Sequence, residues 1–331
     1  MTTAAARASW AAFVRRPRVR LGTLPTPLHP APRLSEAVGV EIWLKRDDLT
    51  GLGLGGNKVR VLEFVLGDAL QRGADTLITG GGPSSNWVML AALAARTRGL
   101  QPILVIYGEP VPLVGNLALA ELAGAEIVFT GEQDRASVER GIDALGAQLR
   151  AQGRNPYLLG RGGASAVGAL GYAAATLELV TQTREQNLTA HQLWLATGSC
   201  GTQAGLVAGQ AWQAWQQPNW AVHGVTVSRP VSECVQRVWN IAAEACGLLE
   251  VPPWDQPPIV HPDTGDTEYG KRSAAADTAA ELVARTEGVF LDPVFAAKGM
   301  AGLLAATAAG QVTGPVIFLV TGGAPTLFTP A

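Results

Sequence analysis

Short apolar runs bounded by glycine recur along this chain, with helix-length stretches rich in alanine and leucine between them. That alternation, more than any single residue, limits the folds open to it. The runs Ile42–Lys45, Thr76–Thr79, Ile103–Tyr107, Ile127–Phe129, Tyr157–Leu159, Leu193–Ala196, His223–Val227 and Val316–Val320 are short and mostly apolar. Strands of that kind are covered on both faces. The stretches Val59–Gln71, Val88–Arg98, Ala136–Ala151, Ala166–Thr183, Gln203–Trp215 and Ser232–Gly247 predict helices. Strand, helix, strand at this spacing implies right-handed crossovers and mostly parallel sheets. The fold class expected is α/β, with two domains, each a mostly parallel twisted sheet flanked by helices. A length of 331 residues accommodates both. The Pro- and Asp-rich segment Leu249–Asp266 reads as a long loop.

Composition narrows the function. With 47% hydrophobic and 16% charged residues, the chain can bury a large core. A formal net charge of −2 provides no basic field for nucleic acid or an anionic membrane, so neither is expected as a partner. No apolar run reaches the roughly 18 residues of a spanning helix. Three cysteines, no CxxC and four histidines without ligand spacing predict neither a metal site nor a disulfide framework, and fit a reducing cytoplasm. Six arginines precede the first acidic residue, Glu36, a pattern that can be read as a transit peptide. The favoured alternative is a packed helix with Trp10, Phe13 and Val14 on its apolar stripe.

In an alternating α/β fold, ligands bind at the carboxyl ends of strands. Three glycine-rich segments follow strands directly: Gly80–Asn86, Thr197–Thr202 and Thr321–Gly323. In Thr197–Thr202 small residues let the backbone approach an anion, and N–H groups converge where the next helix begins. The pattern is neither a P-loop nor a dinucleotide fingerprint, and a bare tight turn is the competing reading. A fourth segment, Gly51–Lys58, precedes a helix. A lysine there is disfavoured by the helix dipole, which predicts a lowered pKa and an amine ready for imine chemistry. A solvated surface lysine is the competing reading, and position alone does not choose among Lys45, Lys58, Lys271 and Lys298. Cys200 reads as a small side chain in a crowded turn.

Taken together, the KRDDLTG run at Lys45–Gly51 and the LGGNKVR run at Leu54–Arg60 resemble the D-cysteine desulfhydrase and 1-aminocyclopropane-1-carboxylate (ACC) deaminase group. So do Leu24–Leu28, Ala74–Leu77, Asp292–Val294 and Thr321–Pro325, in the same order. These are pyridoxal 5′-phosphate (PLP) enzymes of the tryptophan synthase β-subunit-like fold (fold type II). The resemblance implies a large PLP-binding domain of residues 1–57 and 165–331, a small domain of 58–164, and an active site between them. It implies that Lys58 bonds the cofactor and moves the Cα proton. Asn86 would bond the ring oxygen of PLP, and Thr197, Gly198, Ser199, Cys200, Gly201 and Thr202 its phosphate. Thr321 would face the ring nitrogen. Ser85 would sit beside the substrate, and Tyr269 would line the site and pass a proton. A homodimer is implied as well.

Departures from that group fall in the substrate pocket. It usually has Gln before the Ser-Asn pair and His or Gln after it, where this chain has Ser84 and Trp87. Trp87 is either a stacking wall for a larger substrate or a filler of vacated space. Phe295 stands where the group has a tyrosine. The expected activity is α,β-elimination from a small amino acid by a cytoplasmic PLP-dependent carbon–sulfur lyase or deaminase. The alternatives are β-replacement or ACC deaminase-like chemistry on an unusual substrate, and a PLP-binding protein without catalysis.

Overall fold

The computed structural model describes residues 3–213, 220–227, 229–265 and 270–328. The strands are β1 (Leu28–Pro30), β2 (Ile42–Arg46), β3 (Thr76–Gly81), β4 (Gln101–Ile106), β5 (Glu126–Phe129), β6 (Pro156–Leu158), β7 (Gln192–Thr197), β8 (Ala221–Thr226), β9 (Ile259–His261) and β10 (Val316–Val320). The helices are α1 (Thr3–Val14), α2 (Pro32–Val38), α3 (Lys58–Gln71), α4 (Asn86–Thr97), α5 (Asn116–Leu122), α6 (Ser137–Ala151), α7 (Ala166–Glu185), α8 (Gly201–Trp212), α9 (Val231–Leu248), α10 (Ala274–Glu287) and α11 (Ala296–Ala308).

The strands form two sheets. The larger runs β1-β2-β10-β7-β8-β9 and the smaller β5-β4-β3-β6. Every described pairing is parallel except β1 with β2. The strand path reverses between β7 and β10 in the larger sheet and between β3 and β6 in the smaller. Such switch points open a crevice at the strands' carboxyl ends. All eight expected strands form within two residues of their anticipated bounds. Two were not anticipated. β1 and β9 are three residues long, and β9 lies inside the segment expected to be loop.

One continuous core includes apolar residues from α3, α4, α7, α8 and strands of both sheets, while two smaller cores cover the opposite sheet faces. α7 lies between α3 and α8 at backbone contact. A Cβ at Gly171 would overlap the Arg60 carbonyl, and one at Gly205 would overlap that of Ala169. The stretch Arg161–Glu185, which contains α7, corrects one expectation: it is long and apolar enough to cross a membrane. Its window is mostly buried within the protein, against neighbouring helices. At the N-terminal end, α1 packs as expected through two residues: Trp10 stacks on Trp212, and Phe13 lies against Trp212 and Phe64. Val14 is exposed.

Lys45 and Asp47, within the KRDDLTG run, belong to a buried polar network. Asp47 takes two hydrogen bonds from Arg60 (2.8 and 2.9 Å) and one each from Thr26 and Tyr172. Lys45 bonds Glu178, the Thr26 carbonyl and Gln182. Burial raises Asp47, but Arg60 outweighs it and holds the carboxyl below its usual range. The network joins β2, α3 and α7.

Candidate active site

A cleft lies at the carboxyl ends of both sheets. Its lining draws on the residues after β3, β4, β5, β6, β7, β8 and β10. Of the residues expected in the site, Lys58, Ser85, Asn86, Trp87, Thr197, Gly198, Ser199, Cys200, Thr202, Phe295 and Thr321 line it. Gly201 is buried at the start of α8, and Ser84 stands outside the lining with its Oγ toward Gly270. Tyr269 lies outside the described residues.

Lys58 is the first residue of α3, and its Nζ is 3.3 Å from Ser199 Oγ. Its pKa is lowered to about 8. The direction agrees with the dipole argument, but the main cause is burial, which penalises the ammonium. The other three lysines are elsewhere. Lys45 is held in the buried network, Lys298 pairs with Asp263 at 2.8 Å, and Lys271 is exposed. Lys58 alone of the four lines the cleft.

Opposite it, the turn after β7 leads into α8. Cys200 caps the helix with φ of 73°, and its thiol is pushed up by a hydrogen bond with Cys234 and by burial, which argues against a nucleophile. The first N–H groups of a helix have no intrahelical partner. Here they belong to Gly201, Thr202 and Gln203, since the Ala204 N–H is the first to reach back, to the Cys200 carbonyl at 3.0 Å. Thr197 Oγ1 donates to Gln203 Oε1 (2.8 Å) and so is committed within the loop. Asn57 Nδ2 donates to Thr202 Oγ1 at 3.0 Å, tying the start of α3 to the start of α8. Thr321 is buried, and its carbonyl accepts from the Asn57 N–H at 2.9 Å.

Ser85 caps α4 and is 5% exposed. Asn86 Oδ1 accepts from Asn116 Nδ2 at 2.8 Å. Trp87 is 1% exposed, and its indole N–H donates to Thr79 Oγ1 at 2.8 Å. Its six-membered ring lies on Gly163, where a Cβ would overlap it and where φ is +69°. Trp87 is therefore bound to the framework and braces the turn Arg161–Gly163, which favours the space-filling reading over a free stacking wall. The Phe295 ring packs beside Gly198, and its N–H donates to Asp292 Oδ1 at 2.8 Å. Asp292 also accepts from Val294 and Ala296, yet burial raises it to about 7.

Sequence reasoning missed Asn57, Tyr107, Arg135, Arg161 and Arg229, which also line the cleft. Tyr107 follows β4 directly and Arg161 comes soon after β6, so the strand-end rule could have found both. Nothing in the local sequence marks Arg135 or Arg229. Their convergence is a product of the tertiary fold.

A family model described as "Pyridoxal-phosphate dependent enzyme" matches residues 19–322. A Pyrococcus abyssi protein provisionally named 1-aminocyclopropane-1-carboxylate deaminase is 39% identical over 314 residues, covering 95% of this chain and 94% of that one. The D-cysteine desulfhydrase of Salmonella typhi is 38% identical over 330 residues, covering 96% and 97%. A crystal structure of an ACC deaminase homologue superposes with a TM-score of 0.90 at 34% identity, covering 99% of this chain and 97% of that one.

Proposed function

We propose, because this chain belongs to the pyridoxal-phosphate-dependent enzyme family and is a PLP enzyme of the D-cysteine desulfhydrase and ACC deaminase group, that it catalyses α,β-elimination from a small amino acid, releasing pyruvate and ammonium. The residues present fit the cofactor. A single lysine lines the cleft, its amine lowered to about 8, and it faces a helix start with unpaired N–H groups suited to a phosphate. When bound, PLP supplies an aldehyde for the amine and an electron sink for charge developing at Cα.

In this reading Lys58 bonds the cofactor and moves the Cα proton. The amides of Thr197–Thr202 hold the phosphate, with Ser199 and Thr202 as hydroxyl donors. Asn86 Nδ2 donates to the ring oxygen, because its Oδ1 is engaged by Asn116. Thr321 offers the ring nitrogen a hydroxyl rather than a carboxylate, which limits electron withdrawal and suits loss of a Cβ substituent. Ser85 and Tyr269 face the substrate. Phe295 has no hydroxyl to donate a proton, and this favours β-replacement as the second reading. We place the small unit at residues 58–164 and the larger at 1–57 and 165–331, and expect a cytoplasmic homodimer.

The observation that carries this reading is that Lys58 is the one lysine in the cleft. After borohydride treatment the purified protein should carry PLP on the peptide containing Lys58, and Lys58→Ala should carry none. Labelling of Lys45, Lys271 or Lys298 instead would overturn the reading. D-cysteine or β-chloroalanine should yield pyruvate. A new amino acid formed only with an added thiol, and no pyruvate, would favour replacement.

A further inference from the structure

We propose that the substrate carries an oxyanionic group on its β-carbon, a sulfonate or a phosphate ester, held by Arg135, Arg161 and Arg229. This deepens the reading above and rests on it. Among the described residues, the lining of the cleft includes these three guanidiniums and Lys58, and no carboxylate. The arginines come from three separate segments, after β5, β6 and β8, so two belong to the smaller sheet and one to the larger.

The placement of Arg229 and Arg161 is built. Arg229 Nε donates to the Gly198 carbonyl at 3.1 Å, and its guanidinium pairs with Glu233. Arg161 is held by the turn that Trp87 braces, with Gly162 packed against Ser199. Among the described residues its nearest carboxylate, Glu139, is 3.6 Å away, and its Nη1 is buried with no hydrogen-bond partner. Burial lowers the Arg161 pKa; Glu139 opposes this, and Arg229, Arg135 and Arg237 add to the lowering, a mutual repulsion that a bound anion would relieve. Guanidinium forks match tetrahedral oxyanions in geometry and charge. In the proposed site the helix start of α8 takes the cofactor phosphate and Ser85 faces the amino-acid end of the substrate. The arginine side of the cleft is then the place for a further anion.

The chemistry balances. The Cα proton passes to the Lys58 amine. The bond from Cβ to sulfur or to ester oxygen breaks, and its electron pair leaves with sulfite or phosphate. The released 2-aminoacrylate takes up one water and yields pyruvate and ammonium. No oxidant is needed. Sulfite leaves as a stable dianion without a proton donor, and phosphate does so when the ester departs already carrying one proton, in keeping with Phe295.

The test uses the PLP-loaded enzyme with both enantiomers of cysteate and O-phosphoserine, and with uncharged β-chloroalanine for comparison. PLP content is measured before substrate is added. At least one oxyanionic substrate should exceed β-chloroalanine in kcat/KM by about tenfold or more. Release of sulfite or phosphate identifies which oxyanion is preferred. In Arg161→Gln and, independently, Arg135→Gln, that ratio should fall by about 30-fold, with partial recovery in Arg161→Lys and PLP content equal to wild type. Preference for β-chloroalanine, or a ratio unmoved in both variants, overturns the proposal. So does a loss of PLP in both variants with the ratio intact, which would give the arginines to the cofactor phosphate. Wild-type protein without covalently bound PLP would instead sink the cofactor reading.

Discussion

Asn116 Nδ2 donates to Asn86 Oδ1 at 2.8 Å and to the Ser84 carbonyl at 3.2 Å, so one buried amide holds the turn before α4 and sets which end of Asn86 faces the cleft. Asn116→Ala frees Asn86 to rotate, and should lower kcat/KM about tenfold and shift the visible band of the bound cofactor. Asn116→Asp should be worse. A carboxylate can only accept, so Asn86 would turn its Nδ2 away from the cleft. Equal kinetics in the two variants would contradict this account.

The pH dependence of cofactor uptake follows from Lys58. Its neutral amine becomes the main form above about 8 rather than above 10.5. Uptake of PLP by the stripped protein should therefore accelerate with pH and level off above about 8. Between pH 8 and 10.5 the unfolded chain binds more protons at this residue than the folded one, so its contribution makes stability rise with pH over that window. Stopped-flow absorbance checks the first statement and urea titrations of the stripped protein the second. An uptake midpoint near 10.5 would contradict the role given to burial.

Trp87 and Gly163 should couple strongly. Gly163→Ala places a methyl group into the indole ring at a positive φ, and should cost about 2 kcal/mol or more in urea unfolding. Trp87→Ala should cost about 3–5 kcal/mol through the cavity it leaves. In the double variant the methyl group has room, so the costs should sum to less than the two singles. Strict additivity would show that the ring does not brace the turn.

Arg60→Met should destabilise the fold by about 3–5 kcal/mol, because it leaves Asp47 buried without its guanidinium. Asp47 and Glu178 are both held below their usual range, chiefly by Arg60 working against burial. Their contribution is present above the unfolded carboxylate range and is lost as pH falls through the lowered values. Acid unfolding monitored by circular dichroism should therefore begin at higher pH in Arg60→Met than in the wild type.

The sheets were legible because parallel strands announce themselves as apolar runs, and eight of the ten described strands did so. β1 and β9 did not, since three residues containing Pro30 or His261 carry no periodicity of their own. Lys58, Asn86 and the Thr197–Thr202 turn could be read from local glycine chemistry and from resemblance. Arg135, Arg161 and Arg229 could not be read as a group, because three isolated arginines become one surface only when two sheets meet. The doubt over Trp87 was resolved by contacts, with Thr79 and Gly163, that no local pattern encodes.

The backbone contacts at Gly171 and Gly205 make α7 a gauge block between α3 and α8. Lys58 opens one of those helices and the turn proposed to hold the phosphate opens the other, so the span between amine and turn is machined into the stack well away from the cleft. Tolerance at this joint is governed by residues that never touch a ligand. A single added methyl group at either glycine would mis-set the reach of the lysine while leaving every side chain in the cleft intact, and a survey confined to the pocket would not find the cause.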